Sequence, residues 1–258
     1  MTPKLSIIIL AGNEQEVILD CLKSAQFANE VIIVAANSTD DTIALVKEFY
    51  PKTKITITND QYNKNFSKWR NLGFEKSKFD WVFYLDSDER ITSKLQSEIL
   101  QIISKPQIYT HFAIPRANHY LGKRVRHGGS YPDFVIRLYH RPYFKGYLGD
   151  LHEQPVVSGN LGYLKNDLLH FTHRQLTAML CKSIAWSDTE AQLLFASNHP
   201  PVVWWRFPRM MCTKFWERYL RQSFWLDGKI GIISTVFEMF NTYMIYARLY
   251  ELQQSKKA

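Results

Sequence analysis

A doubly wound, mostly parallel α/β sheet followed by a helical, basic and aromatic appendage is the fold this sequence predicts. Three patterns predict it. Strand-like and helix-like segments alternate from Leu5 to Asp86, and each parallel crossover needs a helix. The run Trp81 to Leu85 is apolar without alternation, as in a strand buried on both faces. From Leu176 onward the chain turns helical, basic and aromatic.

Taken in order, Leu5 to Leu10 is a β-branched first strand, and Ala11 to Glu14 is a turn. Glu14 to Ala25 carries helical spacing in Val17, Ile18, Leu22 and Ala25. Val31 to Val34 is a second buried strand. The polar loop Asn37 to Asp41 offers Thr39 or Asp40 as N-cap for a helix through Phe49. Lys54 to Thr58 is a third strand, and Phe66 to Ser77 a helix leading into Trp81. After Ile102 the pattern changes. Thr110 to Arg116, Phe134 to His140 and Gln154 to Val157 read as antiparallel strands between glycine turns.

The 258 residues, 46% of them hydrophobic, can bury one large core, or one domain with an appendage. A net charge of +8 calls for an anionic partner: nucleic acid, phospholipid or a phosphorylated substrate. Cys21, Cys181 and Cys212 form no pairable framework, which suits a reducing compartment and buried thiols. No leader pattern precedes Leu5, so the cytoplasm is expected. Neither G-x-G-x-x-G nor G-x-x-x-x-G-K-[ST] occurs, which excludes a dinucleotide fingerprint and a P-loop.

The apolar run ends in Asp86, Asp88 and Glu89. Ligands of open α/β sheets sit beyond the carboxyl ends of the strands. Two carboxylates one residue apart suit a hard divalent cation that also holds phosphate oxygens. The plainer reading is a turn followed by a helix cap.

With these residues in view, the chain resembles the family 2 glycosyltransferases of GT-A fold, and within them the bacterial lipopolysaccharide-core subgroup. The matching pieces run in order: Leu5 to Glu14, Glu30 to Thr42, Arg70-Asn71, Asp80 to Glu89, Arg116 to Arg141, His152-Glu153 and Asp227-Gly228. Two departures stand out. Leu10-Ala11-Gly12-Asn13-Glu14 replaces the family's Thr-Lys-Asn-Glu, and Ala35 and Ala36 stand where an acid usually follows strand two. The resemblance implies a GT-A catalytic domain over residues 1–175. Within it, 1–103 would take the nucleotide sugar and 104–175 the acceptor, with a helical region over 176–258.

It also implies an inverting, metal-dependent transfer from a nucleotide-diphosphate sugar, UDP-hexose by family weight, to a glycolipid or cell-surface glycan such as lipopolysaccharide core. By that likeness Asp88 and His152 would hold Mg²⁺ or Mn²⁺. Asp86, Asn13, Glu14, Arg70 and Asn71 would face the donor, and Asp133 would be the base. Plainer roles stand beside these: a solvated helix charge for Arg70, turns or caps for Asn13 and Glu14, a β-turn aspartate for Asp133. Gly128 and Gly129 before Asp133 would let the backbone approach a ligand. Arg124, Arg126 and His127 form a basic cluster suited to a phosphorylated acceptor. Arg137 and Arg141 read as alternating on a strand face, and His170, His173 and Arg174 as cleft or loop positions.

From Pro200 to the end, nine Lys or Arg face four Asp or Glu, interleaved with Trp204, Trp205, Trp216 and Trp225. Such helices favour an anionic bilayer surface, at the inner face of the cytoplasmic membrane. Ile230 to Tyr246, apolar but interrupted by Glu238 and Asn241, is marginal for spanning one, so lying on the surface is the expectation. Packing on the catalytic core, or a homodimer contact, is the alternative. No recognition module for nucleic acid is present. A nucleotidyltransferase would need a glycine- and arginine-rich loop that is absent. A polyprenyl-phosphate sugar synthase and a non-catalytic sugar- or nucleotide-binding relative remain open.

Overall fold

The structure, a computed structural model, describes residues 4–36, 38–49, 55–60, 65–149 and 153–255. It divides into two compact units: 1–116 with 133–170, and 117–132 with 171–258.

In the first unit β1 (Leu5–Ala11), β2 (Glu30–Ala36), β3 (Ile55–Asp60) and β4 (Trp81–Asp86) lie parallel in the order β3-β2-β1-β4. Helices α1 (Ile18–Ala25), α2 (Thr42–Phe49) and α3 (Phe66–Lys76) are the crossovers. The pleat sends alternate residues of one strand to opposite cores. Ile7 and Ile9 join Ile18, Leu22, Leu95 and Ile99 on one face, while Ile8 joins Trp69, Tyr84, Tyr139 and Phe144 on the other. This is why the strands read as unbroken apolar runs. Beyond β4 the sheet turns antiparallel. The strand β8 (Asp133–His140) pairs with β4 on one side and with β6 (Tyr109–Tyr120) on the other.

Several elements differ from expectation. The first helix starts at Ile18 rather than Glu14. Glu14, Gln15 and Glu16 have no apolar face to bury, and they form a turn closed by the N–H groups of Val17 and Ile18 on the Glu14 carbonyl. After the acids come β5 (Glu89–Ile91) and α4 (Ser93–Ile103), which Thr92 caps by accepting from the Leu95 N–H at 3.2 Å. The acids are thus followed by a turn and a helix cap, as the plainer reading has it. A short strand β9 (Phe144–Leu148) pairs with β10 (Gln154–Val157).

Helix α3 lies unusually close to the sheet. A Cβ on Gly73 would fall inside contact distance of Ile8 Cγ2 and 3.1 Å from Val34 Cγ2, so only glycine fits.

The second unit is helical: α5 (Leu176–Ala196), α6 (Arg206–Phe215) and α7 (Lys229–Ser255), with a π-helical stretch at Trp216–Arg221 and a 3₁₀ turn at Phe224–Asp227 between the last two. Gly128 and Gly129 have φ of 65° and 72°, conformations that favour glycine. A Cβ on Gly128 would strike the buried Phe224 ring, and one on Gly129 would come within 2.8 Å of Gln222 Oε1. Gly128 is therefore required by packing against Phe224, a different duty from the ligand approach expected of the pair. Trp204, Trp205, Trp216 and Trp225 are exposed, Trp204 by 81%. Cys21 is buried as expected, but Cys181 and Cys212 are exposed. Among the described residues no helix is long and apolar enough to cross a membrane.

Candidate active site

The carboxyl end of β4 gathers charge. Arg70, on α3, is 7% exposed, which rules out an ordinary solvated helix charge. Its guanidinium lies over the rings of Tyr84 and Tyr147, at 5.6 and 5.3 Å, and donates to Glu153 Oε1 at 2.6 Å and Asp86 Oδ1 at 3.3 Å. Among the described residues nothing accepts from its buried Nη1. Arg137 on β8 is 6% exposed and donates to Asp86 Oδ2 and, at 2.7 Å, to Glu89 Oε1. It does not line a solvated strand face. Arg141 does leave this site, pairing with Ser77 and stacking on Phe74.

Burial opposes ionisation of Asp86, yet the guanidiniums of Arg137 and Arg70 hold its carboxyl well below the usual carboxylate range. Glu89, fully buried, behaves oppositely. Burial and the neighbouring Asp86 raise it against the pull of Arg137. Its second oxygen accepts the Asp86 backbone N–H at 3.0 Å, closing the turn that presents Asp88. Cys21 donates its thiol to the Asp86 carbonyl at 3.5 Å, and burial pushes that thiol up.

Asp88 is a quarter exposed and lies 3.5 Å from His170 Nε2. A carboxylate and an imidazole are donors that Mn²⁺ accepts, and Mg²⁺ takes the carboxylate readily. Asp86, with each oxygen bound by a guanidinium, is spoken for. Among the described residues no set of three metal-capable side chains meets. His152 lies outside the described residues.

Asp133 opens β8 directly opposite Arg116 on β6, and Arg116 Nη2 sits 2.6 Å from its Oδ2. The same guanidinium stands 3.7 Å from Glu89 Oε1. Sequence reasoning missed Arg116, Arg137, Glu89 and Glu153 as site members. A signal existed for all four, since each falls inside a segment of the family likeness.

The remaining expected residues have structural duties. The Asn13 side chain exchanges hydrogen bonds with Thr39, accepting its N–H at 2.8 Å. The Glu14 N–H donates to Thr42 Oγ1 at 2.8 Å. Asp40 accepts from the Thr42 N–H at 3.0 Å and so caps α2. Asn71 clasps Tyr147, accepting its N–H at 2.8 Å and donating to its carbonyl at 3.0 Å. In the second unit Arg124 lies over Tyr131 at 5.2 Å. The N–H groups of Arg126 and His127 both donate to Asp227 Oδ2, while His127 Nδ1 stands 3.1 Å from Oδ1.

A profile described as Glycosyl transferase family 2 matches residues 6–170, most of the chain. The chain belongs to glycosyl transferase family 2. The family members it resembles include the lipopolysaccharide core biosynthesis glycosyltransferase LpsC of Rhizobium meliloti, 25% identical over 97% of this chain and 94% of LpsC. An uncharacterized glycosyltransferase of Rickettsia bellii is 22% identical over 98% and 88%. Among solved structures, the mannosyltransferase PcManGT of Pyrobaculum calidifontis, in complex with GDP-Man and Mn²⁺, aligns with 98% of this chain and 87% of its own. The TM-score is 0.51 and the identity 10%, a likeness of fold. The sheet and its helical appendage are accordingly of the family's GT-A type.

Proposed function

We propose that the protein is an inverting glycosyltransferase that moves a hexose from UDP-hexose to a glycolipid or cell-surface glycan, lipopolysaccharide core being the favoured acceptor. The observation that carries this reading is the pairing of Asp88 with His170 beside an Asp86 already gripped by two arginines. That arrangement gives one carboxylate to a cation and the other to the scaffold. Similarity to LpsC along nearly its whole length supports the acceptor class.

Asp88 and His170 would hold Mn²⁺ or Mg²⁺, with His152 a further candidate; when bound, the cation offsets charge on the leaving diphosphate. Arg70 faces that charge from the buried side. Its Nη1 has no acceptor among the described residues, which supports a donor oxygen as its partner. Asn13, Glu14 and Asn71 shape the donor pocket through the loops and strand they tie down, and Asp86 fixes Arg70. Asp133 takes the proton of the acceptor hydroxyl. The freed oxygen pair attacks the anomeric carbon opposite the diphosphate, whose bond to that carbon breaks, so the configuration inverts. Arg116 orients the Asp133 carboxylate. Arg124, Arg126 and His127 serve a phosphorylated acceptor.

Residues 1–175 carry catalysis in this reading. The region 176–258 seats the enzyme on the inner face of the cytoplasmic membrane, through the exposed tryptophans and cations of 204–229.

Incubation with UDP-hexoses and Mn²⁺ tests the proposal. Slow release of UDP that disappears in Asp88→Ala is the expected result. UDP binding with no release from any UDP-hexose would identify a non-catalytic relative.

A further inference from the structure

Three charged side chains around this site have no role so far: Glu153, Arg137 and Glu89. Together with Arg70, Asp86, Arg116 and Asp133 they form one line. From Glu153 it runs to Arg70 at 2.6 Å, to Asp86 at 3.3 Å and then to Arg137. It continues to Glu89 at 2.7 Å, to Arg116 at 3.7 Å and to Asp133 at 2.6 Å. The sign alternates at every link. The members come from α3, β4, β5, β6, β8 and the residue before β10. The middle member and its neighbour are also the most deeply enclosed: Arg137 is 6% and Glu89 0% exposed.

Stability is a poor reason for such a line. Replacing buried ion pairs by packed apolar groups is often neutral or stabilising, so their worth lies elsewhere. Geometry supplies a reason. A carboxylate held between two guanidiniums cannot rotate, and Asp86, Glu89 and their shared turn are held in this way. Fixing that turn fixes Asp88. At the other end Arg116 touches Glu89 and Asp133 at once, so the acceptor-side carboxylate is referenced to the same frame.

We propose that Arg137 and Glu89 are positioning residues that lock the donor-side Asp86–Asp88 turn and the acceptor-side Asp133 into one rigid electrostatic frame. This rests on the reading of Asp133 as the base. Neither residue need touch substrate. Donor binding alone does not require the frame, whereas in-line attack does, because a displacement of about 1 Å can cost roughly a hundredfold in rate.

Two measurements test it together. With UDP-glucose and Mn²⁺, Glu89→Gln and Arg137→Lys are expected to lower kcat roughly ten- to a hundredfold. KM for the donor should stay within about threefold. Lysine keeps the charge of Arg137 but cannot bridge two carboxylates, so it should not rescue. Separately, thermal unfolding of Arg137→Gln, Arg116→Gln and the double variant reports the linkage. These arginines share Glu89 as a partner, so the shift in melting temperature of the double variant should differ from the sum of the single shifts. Unchanged kcat in Glu89→Gln and Arg137→Lys, or additive melting shifts, would overturn the frame. If Glu89→Gln does not fold, Arg137→Lys and the unfolding cycle decide. If the wild-type protein consumes none of the UDP-hexoses, or Asp133→Asn keeps full turnover, the functional reading fails while the unfolding cycle still judges the frame.

Discussion

Arg70 and Arg137 in the first unit each bridge two carboxylates and are less than a tenth exposed. In the second unit the cations Arg206, Arg209, Lys214, Arg218, Arg221 and Lys229 share their stretch with only Glu217 and Asp227, and none is buried. Arg209 lies over the Trp205 ring at 5.4 Å and Arg218 over Phe224 at 5.3 Å. The net charge of the chain thus hides two kinds of arginine. One kind is spent inside, where it sets the geometry and ionisation of acids. The other faces water and gives the chain its surplus. A whole-chain charge says what sort of partner to expect only through the second kind.

The contrast can be broken from either side. Asp133→Asn should have the largest effect on catalysis, lowering turnover by about 10²–10⁴-fold. UDP binding by calorimetry should be left near the wild-type value; retained turnover would remove Asp133 from its role. Next is Arg70→Met, which leaves Asp86 and Glu153 short of a partner. It should cost about 3 kcal/mol in urea unfolding, whereas Arg209→Met, on the exposed side of the comparison, should change stability by no more than about 0.5 kcal/mol. A cost for Arg209→Met as large as that for Arg70→Met would erase the distinction.

The exposed region has its own readout. Sedimentation with phosphatidylglycerol vesicles at low salt should fall severalfold when Trp204 and Trp216 are both replaced by Ser, and again as salt rises. Absence of binding by the wild-type protein would discard the bilayer, and a concentration-dependent mass in its place would favour a homodimer. The smallest effect belongs to the cap. Asp40→Ala should cost about 0.5–1 kcal/mol. Some burial acts against its charge, but hydrogen bonds from Thr42, Ser38 and Gln15 lower the Asp40 carboxyl to about 2. Its folded value lies below its unfolded one. The contribution is therefore present above about pH 4 and disappears as pH falls toward 2.

What could be read in advance was whatever is written in short-range pattern. The four parallel strands, their crossovers and the acid pair after Leu85 all follow from local composition. Arg137 and Glu89 were hidden because a single charge in a strand looks the same whether its neighbour is water or a carboxylate. Their partners arrive through the antiparallel pairing of β8 with β4 and β6, which no local window contains. The helix α4 was legible only as the plainer alternative to a cation site, because the acids before it carry the stronger functional pattern. Gly128 and Gly129 misled because a glycine pair advertises permissive backbone without saying what approaches it. Phe224 and Gln222 do.

The seat of α3 carries one more consequence. Gly73 follows Arg70 by three residues, on the same face of the helix, and nothing larger fits between it and Ile8. A missing methyl group therefore governs how deep a guanidinium is sunk. Adding that single carbon would lift the whole cylinder off the strands and draw the cation upward with it. The depth of Arg70 is in this sense tuned from beneath, by an atom the chain leaves out.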